Sequence, residues 1–308
     1  LEEGDVQIRG FKLRLPLDIL FVFTANPEDY TNRGSIVTPL KDRIESQILT
    51  HYPKTIETGL AITEQEASVH PQQQELVEVS DLVKRLIEQV AFEARGSELV
   101  DKKSGVSARL TIAALENAVS AAELRAVKNN EATTQVWIND LLGIIPSITG
   151  KIELVYEGEQ EGPYEVALNL LNKAIRSQFI QYFPNPELQK KRKQEAAADQ
   201  PYRSITQWFD KGNSISLLTQ LKDAEKIQLL YQVDGLHALV KKYFRAANEK
   251  QTALLMEFVL HGLASYSVIS KRLVEGTVEF KDLMGSMINL NSNRAERDED
   301  ELDGEDFT

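Results

Sequence analysis

The sequence contains no cysteine among its 308 residues. This absence excludes disulfide bonds, thiolate metal sites and cysteine-based catalysis. It fits a reducing compartment, so we expect a cytoplasmic protein. The hydrophobic content of 42% is ordinary for a globular protein and excludes disorder over the whole length of the chain.

Long hydrophobic runs are also lacking. No stretch of about 18 apolar residues occurs, and the start of the chain has neither the basic nor the apolar region of a signal peptide. We therefore expect no membrane span and no export signal.

Common catalytic and metal-binding motifs are absent as well. No HExxH or GxSxG motif is present, and no two histidines are spaced as metal ligands on one helix face. We predict no metal site and expect structural positions for the four histidines, His51, His70, His237 and His261. The chain also has no GxxxxGK[ST] loop, and therefore no cradle of backbone N–H groups for a phosphate.

Negative charge is concentrated near the end of the sequence. The net charge is −12, and residues 296–306 contain eight acidic residues and one arginine, a balance of −7. We expect residues 291–308 to be a disordered acidic tail, acting as a solubilising tail or as a docking segment for a basic partner. The basic run at residues 190–193 precedes acidic residues and indicates a solvated helix face, with nucleic-acid or anionic-lipid contact as the alternative.

The first residues have the patterns of strands. Residues 6–15, VQIRGFKLRL, alternate apolar and polar side chains around Gly10, which predicts a β-hairpin or a kinked strand. Residues 19–24, ILFVFT, form a short apolar run typical of a strand buried on both faces. The run ends at Asn26, which is therefore predicted at the edge where open α/β sheets bind ligands.

The rest of the chain has mainly helical patterns. Spacing of apolar residues and capping residues predict helices over residues 40–49, 63–69, 80–96, 107–128, 137–145, 163–182, 204–211, 222–231, 236–247 and 252–274. Residues 151–156, KIELVY, predict a short strand. The helix over 163–182 has an apolar stripe that indicates a core face, with a partner-binding groove as the alternative: Leu168, Leu171, Ile175, Phe179 and Tyr182.

Three polar residues lie at predicted junctions. Asn26, at the end of a buried strand, can orient a water or contact a terminal phosphate. Arg43 lies in the first turn of the following helix, from which it can reach a neighbouring subunit, and Arg109 adds positive charge to a helix N-terminus. The alternatives are a turn cap for Asn26, an ion pair with Asp42 or Glu45 for Arg43, and a surface position for Arg109.

The order of these segments resembles one family. Residues 21–28, FVFTANPE, resemble the sensor 1 strand of the AAA+ ATPases of the magnesium-chelatase I-subunit and MoxR-like group. Residues 38–44, TPLKDRI, resemble that group's arginine-finger segment, and residues 107–109, SAR, are similar to its Ser-x-Arg sensor 2 signature. The hairpin over 6–15 lies where the group has a hairpin before sensor 1. The resemblance covers residues 1–145.

The sequence departs from that pattern at several positions. Ile44 replaces a typical Phe and Thr38 a typical Arg, while Arg33 is a second candidate for the finger beside Arg43. The Walker A and Walker B segments of the family would precede Leu1. We therefore expect this chain alone to bind no ATP and to be inactive as an ATPase.

The resemblance implies a mainly α fold with four parts. These are a remnant of an α/β AAA+ core over residues 1–60, a helical lid over 61–145, an all-α C-terminal domain over 146–290 and the acidic tail over 291–308. Residues 148–162, ITGKIELVYEGEQEG, and the helices predicted after them resemble the C-terminal extension of a chelatase-like branch of the family.

The resemblance also implies a function. The intact protein would use ATP and Mg²⁺ to remodel a partner protein or metal-insertion complex, as a homo-oligomeric ring whose partner carries a von Willebrand A-type domain. Asn26 would orient the attacking water, Arg43 would be the arginine finger, and Arg109 would couple nucleotide state to the lid. The alternatives are a non-enzymatic helical interaction module and a nucleic-acid-remodelling AAA+ relative; the negative charge disfavours contact with nucleic acid.

Overall fold

A computed structural model describes residues 5–14, 20, 22–24, 44, 46–191, 200–274 and 276–283. The chain divides into two units, Leu1–His51 and Tyr52–Thr308. Helices make up most of the described secondary structure, so the mainly α prediction is confirmed. None of the helices in the described ranges combines the length and the apolar character needed to cross a bilayer.

The first unit contains the predicted hairpin. Strands β1 (Asp5–Ile8) and β2 (Phe11–Arg14) pair antiparallel. The two residues between them, Arg9 and Gly10, have φ angles of 49° and 86°. Two successive positive φ angles are the geometry of a type I′ turn, which matches the twist of paired strands.

One face of this hairpin is apolar and exposed. Ile8 lies opposite Phe11 in the register, and Leu13 lies on the same face. Their exposed fractions are 57%, 80% and 55%. The hairpin is therefore formed by its turn and its strand pairing, without burial of its apolar face by the described residues.

Two predictions for the first unit are wrong where residues are described. Residues 20 and 22–24, within the predicted buried strand, are not in a strand, and Leu20 is 88% exposed. Residues 46–49, within the predicted helix over 40–49, are not helical. An apolar run becomes a buried strand only by pairing with neighbouring strands. No described residue pairs with residues 20 or 22–24.

The second unit begins with helices and one short parallel pair of strands. Its elements up to residue 149 are α1 (Ile56–Glu66), α2 (Pro71–Leu76), β3 (Val77–Glu78), α3 (Asp81–Gly96), α4 (Arg109–Asn129), β4 (Thr134–Gln135), a 3₁₀ helix (Asn139–Ile144) and α5 (Ile145–Thr149).

Local capping explains where these helices begin. The Ser80 hydroxyl accepts a hydrogen bond from the Val83 N–H at 3.3 Å, which confirms the predicted start of α3. The helix predicted over 63–69 is instead α1, capped by the Thr55 hydroxyl. Thr63 is buried inside α1, where its hydroxyl bonds to an interior carboxyl group rather than capping a helix.

Two further predictions in this region need correction. The helix predicted to break at Pro146 is a 3₁₀ helix that continues into α5, with Pro146 in the first turn of α5, where its missing N–H is tolerated. The strand predicted over 151–156 is reduced to one antiparallel bridge between Val100 and Leu154.

The remaining elements are helices and a three-stranded sheet. They are α6 (Tyr156–Glu161), α7 (Pro163–Tyr182), α8 (Pro186–Lys191), α9 (Arg203–Asp210), β5 (Ile215–Leu218), α10 (Asp223–Tyr231), α11 (Leu236–Tyr243), α12 (Glu249–Ser265), β6 (Ser270–Val274) and β7 (Thr277–Lys281).

The sheet shows that the all-α prediction for residues 146–290 is wrong. Strand β7 lies between β5 and β6 and pairs antiparallel with both. The helix predicted over 252–274 ends at Ser265, because Ser267 has a φ of 51°, which an α-helix does not tolerate. The residues after it, VISKRLV, are rich in β-branched side chains and continue as β6.

One hydrophobic core extends through the second unit. The apolar stripe of α7 faces it, with Leu171, Ile175 and Phe179 buried and Leu168 and Tyr182 half-buried. The Phe179 ring packs so closely on α12 that a Cβ on Gly262 would lie 2.1 Å from it. The core interpretation of this stripe is confirmed. Since α3 packs against α7, the ranges 61–145 and 146–290 share this core, and the boundary between them stays a prediction.

Candidate functional site

Arg109 is the first residue of α4, where the Ser-x-Arg pattern predicted a helix start. The Ser107 hydroxyl accepts a hydrogen bond from the Arg109 N–H at 3.0 Å, and the Ser107 carbonyl accepts one from Leu110 N–H at 3.1 Å. The Arg109 side chain is exposed, and within the part of the chain that the structure describes its guanidinium makes no hydrogen bond or ion pair. The guanidinium can therefore bind an anion, next to the positive end of the helix dipole.

The segment before α4 is held in place by two side chains. The Tyr52 hydroxyl accepts a hydrogen bond from Val106 N–H at 3.1 Å, and Arg95 Nε donates to the Val106 carbonyl at 3.2 Å. The Arg95 guanidinium lies 4.6 Å from the centre of the Tyr52 ring. A Cβ on Gly105 would lie 2.1 Å from the Tyr52 hydroxyl, so only glycine fits there. These contacts fix the chain that leads to Arg109.

Arg95 is a second cation in this region. Its Nη1 atom is buried and has no hydrogen-bond partner among the described residues. Burial lowers the pKa of Arg95, while Glu88 and Tyr52 oppose the shift. The sequence analysis did not single out this arginine, because it belongs to no motif.

A buried chain of hydroxyl groups lies under the first turn of α4. The Thr111 Oγ1 is 2.8 Å from the Thr63 Oγ1 and 3.0 Å from the Ala108 carbonyl oxygen. The Thr63 hydroxyl also bonds to the carboxyl group of Glu88, which is 2% exposed. The packing is close, since a Cβ on Gly59 would lie 2.4 Å from a Glu88 oxygen.

A proton on Glu88 would supply a donor for each contact of this cluster. Two hydroxyl hydrogens cannot make all three bonds of the chain if Glu88 only accepts. If Glu88 is protonated, it donates to Thr63, Thr63 donates to Thr111, and Thr111 donates to the Ala108 carbonyl, so every bond has a donor. Burial raises the pKa of Glu88, with the two hydroxyl groups and a nearby arginine opposing. The hydroxyl contacts and the direction of the pKa shift are therefore those expected for a neutral Glu88.

A second polar cluster is ionic and surrounds Arg125, which is 2% exposed. The Arg125 guanidinium donates to Asp223 at 2.8 Å, to Asp140 at 3.0 Å and to the Thr134 hydroxyl at 3.0 Å. Trp137 Nε1 donates to Asp223 at 2.7 Å. Burial lowers the pKa of Arg125, but Asp140 and Asp223 more than offset it, so that the pKa is raised. The raised pKa keeps Arg125 charged, and a third carboxylate, that of Glu131, has an oxygen 3.5 Å from its guanidinium.

A neighbouring ion pair joins Lys226 and Glu257, whose side chains are both 0% exposed. Their Nζ and Oε1 atoms are 3.3 Å apart, and Glu257 also accepts from the Ile138 N–H at 2.9 Å. Burial raises the pKa of Glu257, and Lys226 opposes this. Burial also lowers the pKa of His261 well below its usual value, so the neutral ring bonds through Nε2 to Asn139 Oδ1 at 2.9 Å.

These ionic contacts join elements rather than open a binding site. They connect α4 and the 3₁₀ helix to α10 and α12, and their side chains are buried. Over the described ranges no cluster of three or more His, Asp or Glu residues could hold a metal ion. The clusters position α4, and therefore Arg109.

The structure places one of the three predicted site residues. Arg109 is described, whereas Asn26 and Arg43, and the alternative finger Arg33, lie outside the described residues. Glu88 was missed, although a signal for it exists: it stands among the apolar positions of α3, and a charged residue at a core position is unusual.

Comparison of the chain with protein-family models, with curated proteins and with solved structures found no match.

Proposed function

We propose that this chain is the C-terminal part of an AAA+ ATPase of the magnesium-chelatase I-subunit and MoxR-like group. Its function is to couple ATP hydrolysis to remodelling of a partner protein or metal-insertion complex. The supporting observation is Arg109: an exposed guanidinium without a partner in the described structure, at the first residue of a 21-residue helix. The Ser-x-Arg motif and the order of the preceding segments give this position its interpretation.

Arg109 fits the phosphate end of a nucleotide. Its planar group offers several N–H donors to phosphate oxygens, and the helix dipole adds partial positive charge. Asn26 is proposed to orient the attacking water. Arg43 is proposed to reach the ATP of the next subunit in a ring, where such a finger contributes about 10³ to 10⁵ in rate. ATP would supply the free energy, and a preceding segment would hold its phosphates and Mg²⁺.

The packing of α4 suggests how Arg109 acts on a partner. Arg125, also on α4, is bound to Asp223 at the start of α10, and α3 shares its core with α7. A displacement of α4 toward the phosphates would therefore also displace α7 and α10, in the C-terminal half of the chain. We propose this C-terminal half as the part that acts on a cytoplasmic partner, which carries a von Willebrand A-type domain.

Replacement of Arg109 in the complete ring-forming protein tests the proposal. Arg109→Ala should lower the rate of ATP hydrolysis by about tenfold or more, the effect of losing a charge-assisted hydrogen bond, and leave Tm unchanged because the side chain is exposed. Lys128→Ala is the matched control, an exposed cation at the opposite end of the same helix. Unchanged hydrolysis in Arg109→Ala would refute the role of this residue.

A second experiment tests the finger. Arg43→Ala should abolish turnover while nucleotide affinity stays nearly unchanged, because the contact matters in the transition state. Arg33→Ala should have a mild effect. If Arg33→Ala abolishes turnover and Arg43→Ala does not, Arg33 is the arginine finger. If both variants have mild effects, the AAA+ mechanism is contradicted.

A further inference from the structure

A polar cleft of about 610 Å³ lies between α3, α7, α12 and β6. Side chains of α7, from Asn169 to Ser177, line it along one side. Glu93 of α3, Ser265 of α12 and Lys271 of β6 line the other sides. Its volume is in the range of small-molecule sites.

Lys271 is the least compensated charge of the cleft. Its ammonium group donates to the Asn172 Oδ1, and none of the described carboxylates lies within ion-pair distance of it. The side chain is half-buried, and burial lowers its pKa to about 8. A half-buried ammonium group without a counterion favours the binding of an anion.

Two more cations line the same cleft. Lys173 is exposed and makes no ion pair with a described residue. Arg176 is held in place: it donates to the Ser265 carbonyl at 2.9 Å and to Glu187, and its guanidinium lies 4.2 Å from the centre of the Tyr266 ring. The cleft therefore combines two ammonium groups that lack carboxylate partners with one fixed guanidinium.

On the α3 side the cleft is lined by a carboxyl group, that of Glu93, instead of a cation. Its Oε1 accepts hydrogen bonds from the Ser177 hydroxyl at 2.7 Å and from Gln89 Nε2 at 2.8 Å. A carboxylate repels a second anionic group and accepts hydrogen bonds from hydroxyl groups. A ligand that matches both sides has one anionic end and a neutral end with hydroxyl groups.

We propose that this cleft binds a phosphate monoester with a hydroxyl-bearing body, of the sugar phosphate class. Lys271, Lys173 and Arg176 bind the phosphate, and Glu93 accepts hydrogen bonds from the hydroxyl groups. The proposal does not rest on ATP hydrolysis, because the cleft shares no lining residue with the surroundings of Arg109.

Titration of the chain with ribose 5-phosphate, inorganic phosphate and ribose tests the proposal by calorimetry. Ribose 5-phosphate should bind more tightly than either of the other probes. Lys271→Met and Lys173→Met should each weaken its binding by about tenfold or more, because each removes a charge-assisted hydrogen bond. Glu93→Gln should reduce the advantage of ribose 5-phosphate over inorganic phosphate.

Arg272→Met is the matched control. Arg272 follows Lys271 in β6, is exposed, points to the opposite face of the sheet and lies across from Glu279. Its replacement should leave binding unchanged. Because Lys173 is exposed, its variant tests the site even if Lys271→Met alters the fold, which a thermal melt would reveal.

Two results would overturn the proposal. One is the absence of saturable binding of ribose 5-phosphate at millimolar concentration. The other is an equal loss of binding in Arg272→Met and Lys271→Met, which would indicate general attraction to a basic surface. Neither result bears on ATP hydrolysis by the complete protein, so the two proposals fail separately.

Discussion

The second unit buries carboxyl groups in two different ways. Near the start of α4, Glu88 lies among the hydroxyl groups of Thr63 and Thr111 and forms no ion pair with the described residues. At the junction of α4 with α10, Asp223 is bound to Arg125 at 2.8 Å. A buried carboxyl group requires either a proton or a cation, because an isolated buried charge is too costly. In the first cluster the hydroxyl contacts fit a carboxyl group that carries a proton, and in the second cations lie beside the carboxylates.

This difference matches the positions of the two clusters. The ionic cluster joins α4 and the 3₁₀ helix to α10, and one guanidinium, that of Arg125, binds both buried aspartates. The hydroxyl cluster lies beneath the helix start that carries Arg109, next to Arg95. A neutral Glu88 leaves the positive charge of these arginines and of the helix dipole uncompensated, which favours the binding of an anion there.

Removal of the central cation should have the largest effect on stability. Arg125→Met leaves Asp140 and Asp223 buried without their counterion, and breaking a buried ionic contact in this way costs about 3 to 5 kcal/mol. The free energy of unfolding, measured in urea at pH 7, should fall by that amount.

Arg85→Met provides the control for this prediction. Arg85 also binds two carboxylates, Asp81 at 2.7 Å and Glu57 at 3.0 Å, but both of these are exposed. Exposed ion pairs contribute about 0 to 1 kcal/mol. Equal losses in the two variants would show that burial does not set the strength of the Arg125 cluster.

Lys226→Met should have a smaller effect, because only one carboxylate loses its cation and it can take up a proton instead. Keeping Glu257 protonated at pH 7 costs at most about 3.5 kcal/mol, because the pKa of a glutamate in the unfolded protein has its ordinary value. The loss in free energy of unfolding should be smaller at pH 5 than at pH 7. The double variant Lys226→Met with Glu257→Gln should be more stable than Lys226→Met alone. If the double variant is no better, an ionised Glu257 is not the cause of the loss.

The sequence predicted the helices whose ends are set by neighbouring residues. Ser80 marks the start of α3 because its hydroxyl group bonds to the Val83 N–H, three residues away. Ser107 was predicted to cap α4 but lies one residue before the N-cap, Ala108, and its hydroxyl group bonds to the Arg109 N–H. The sheet was not predicted. Its strands β5 and β7 pair residues such as Leu217 and Val278, which are far apart in the chain, and only tertiary contacts select that pairing.

The difference between contacts with neighbouring residues and contacts between distant residues also separates the predicted and missed parts of the site. Arg109 was found because a local motif carries it. Glu88 depends on Thr63 and Thr111, which lie 25 residues before it and 23 after it in the sequence. Arg125 and Asp223 are 98 residues apart. A sequence shows that such polar residues stand at core positions, but their contacts arise only from the packing of the helices.

Glu88→Gln should have the smallest effect of these variants on the free energy of unfolding, and at pH 7 it should raise that free energy rather than lower it. The glutamine amide can donate to Thr63 as a protonated carboxyl group does, and the substitution removes the cost of protonation.

The effect of Glu88→Gln should depend on pH. Because burial raises the pKa of Glu88 in the folded protein above its usual 4.5, the stability that Glu88 contributes is complete below pH 4.5 and is lost as pH rises through the raised pKa. The variant should therefore gain stability relative to the native protein between pH 4 and pH 7. The gain is at most about 3.5 kcal/mol, the cost of keeping a glutamate of ordinary pKa protonated at pH 7, and the second amide hydrogen of the glutamine, if left without a partner, offsets about 1 to 3 kcal/mol of it. Urea unfolding at the two pH values measures the difference, and Glu75→Gln, at an exposed position on α2, should show little change at either. If the variant instead loses stability relative to the native protein between pH 4 and pH 7, Glu88 is ionised, and the region beneath Arg109 carries a negative charge that opposes phosphate binding.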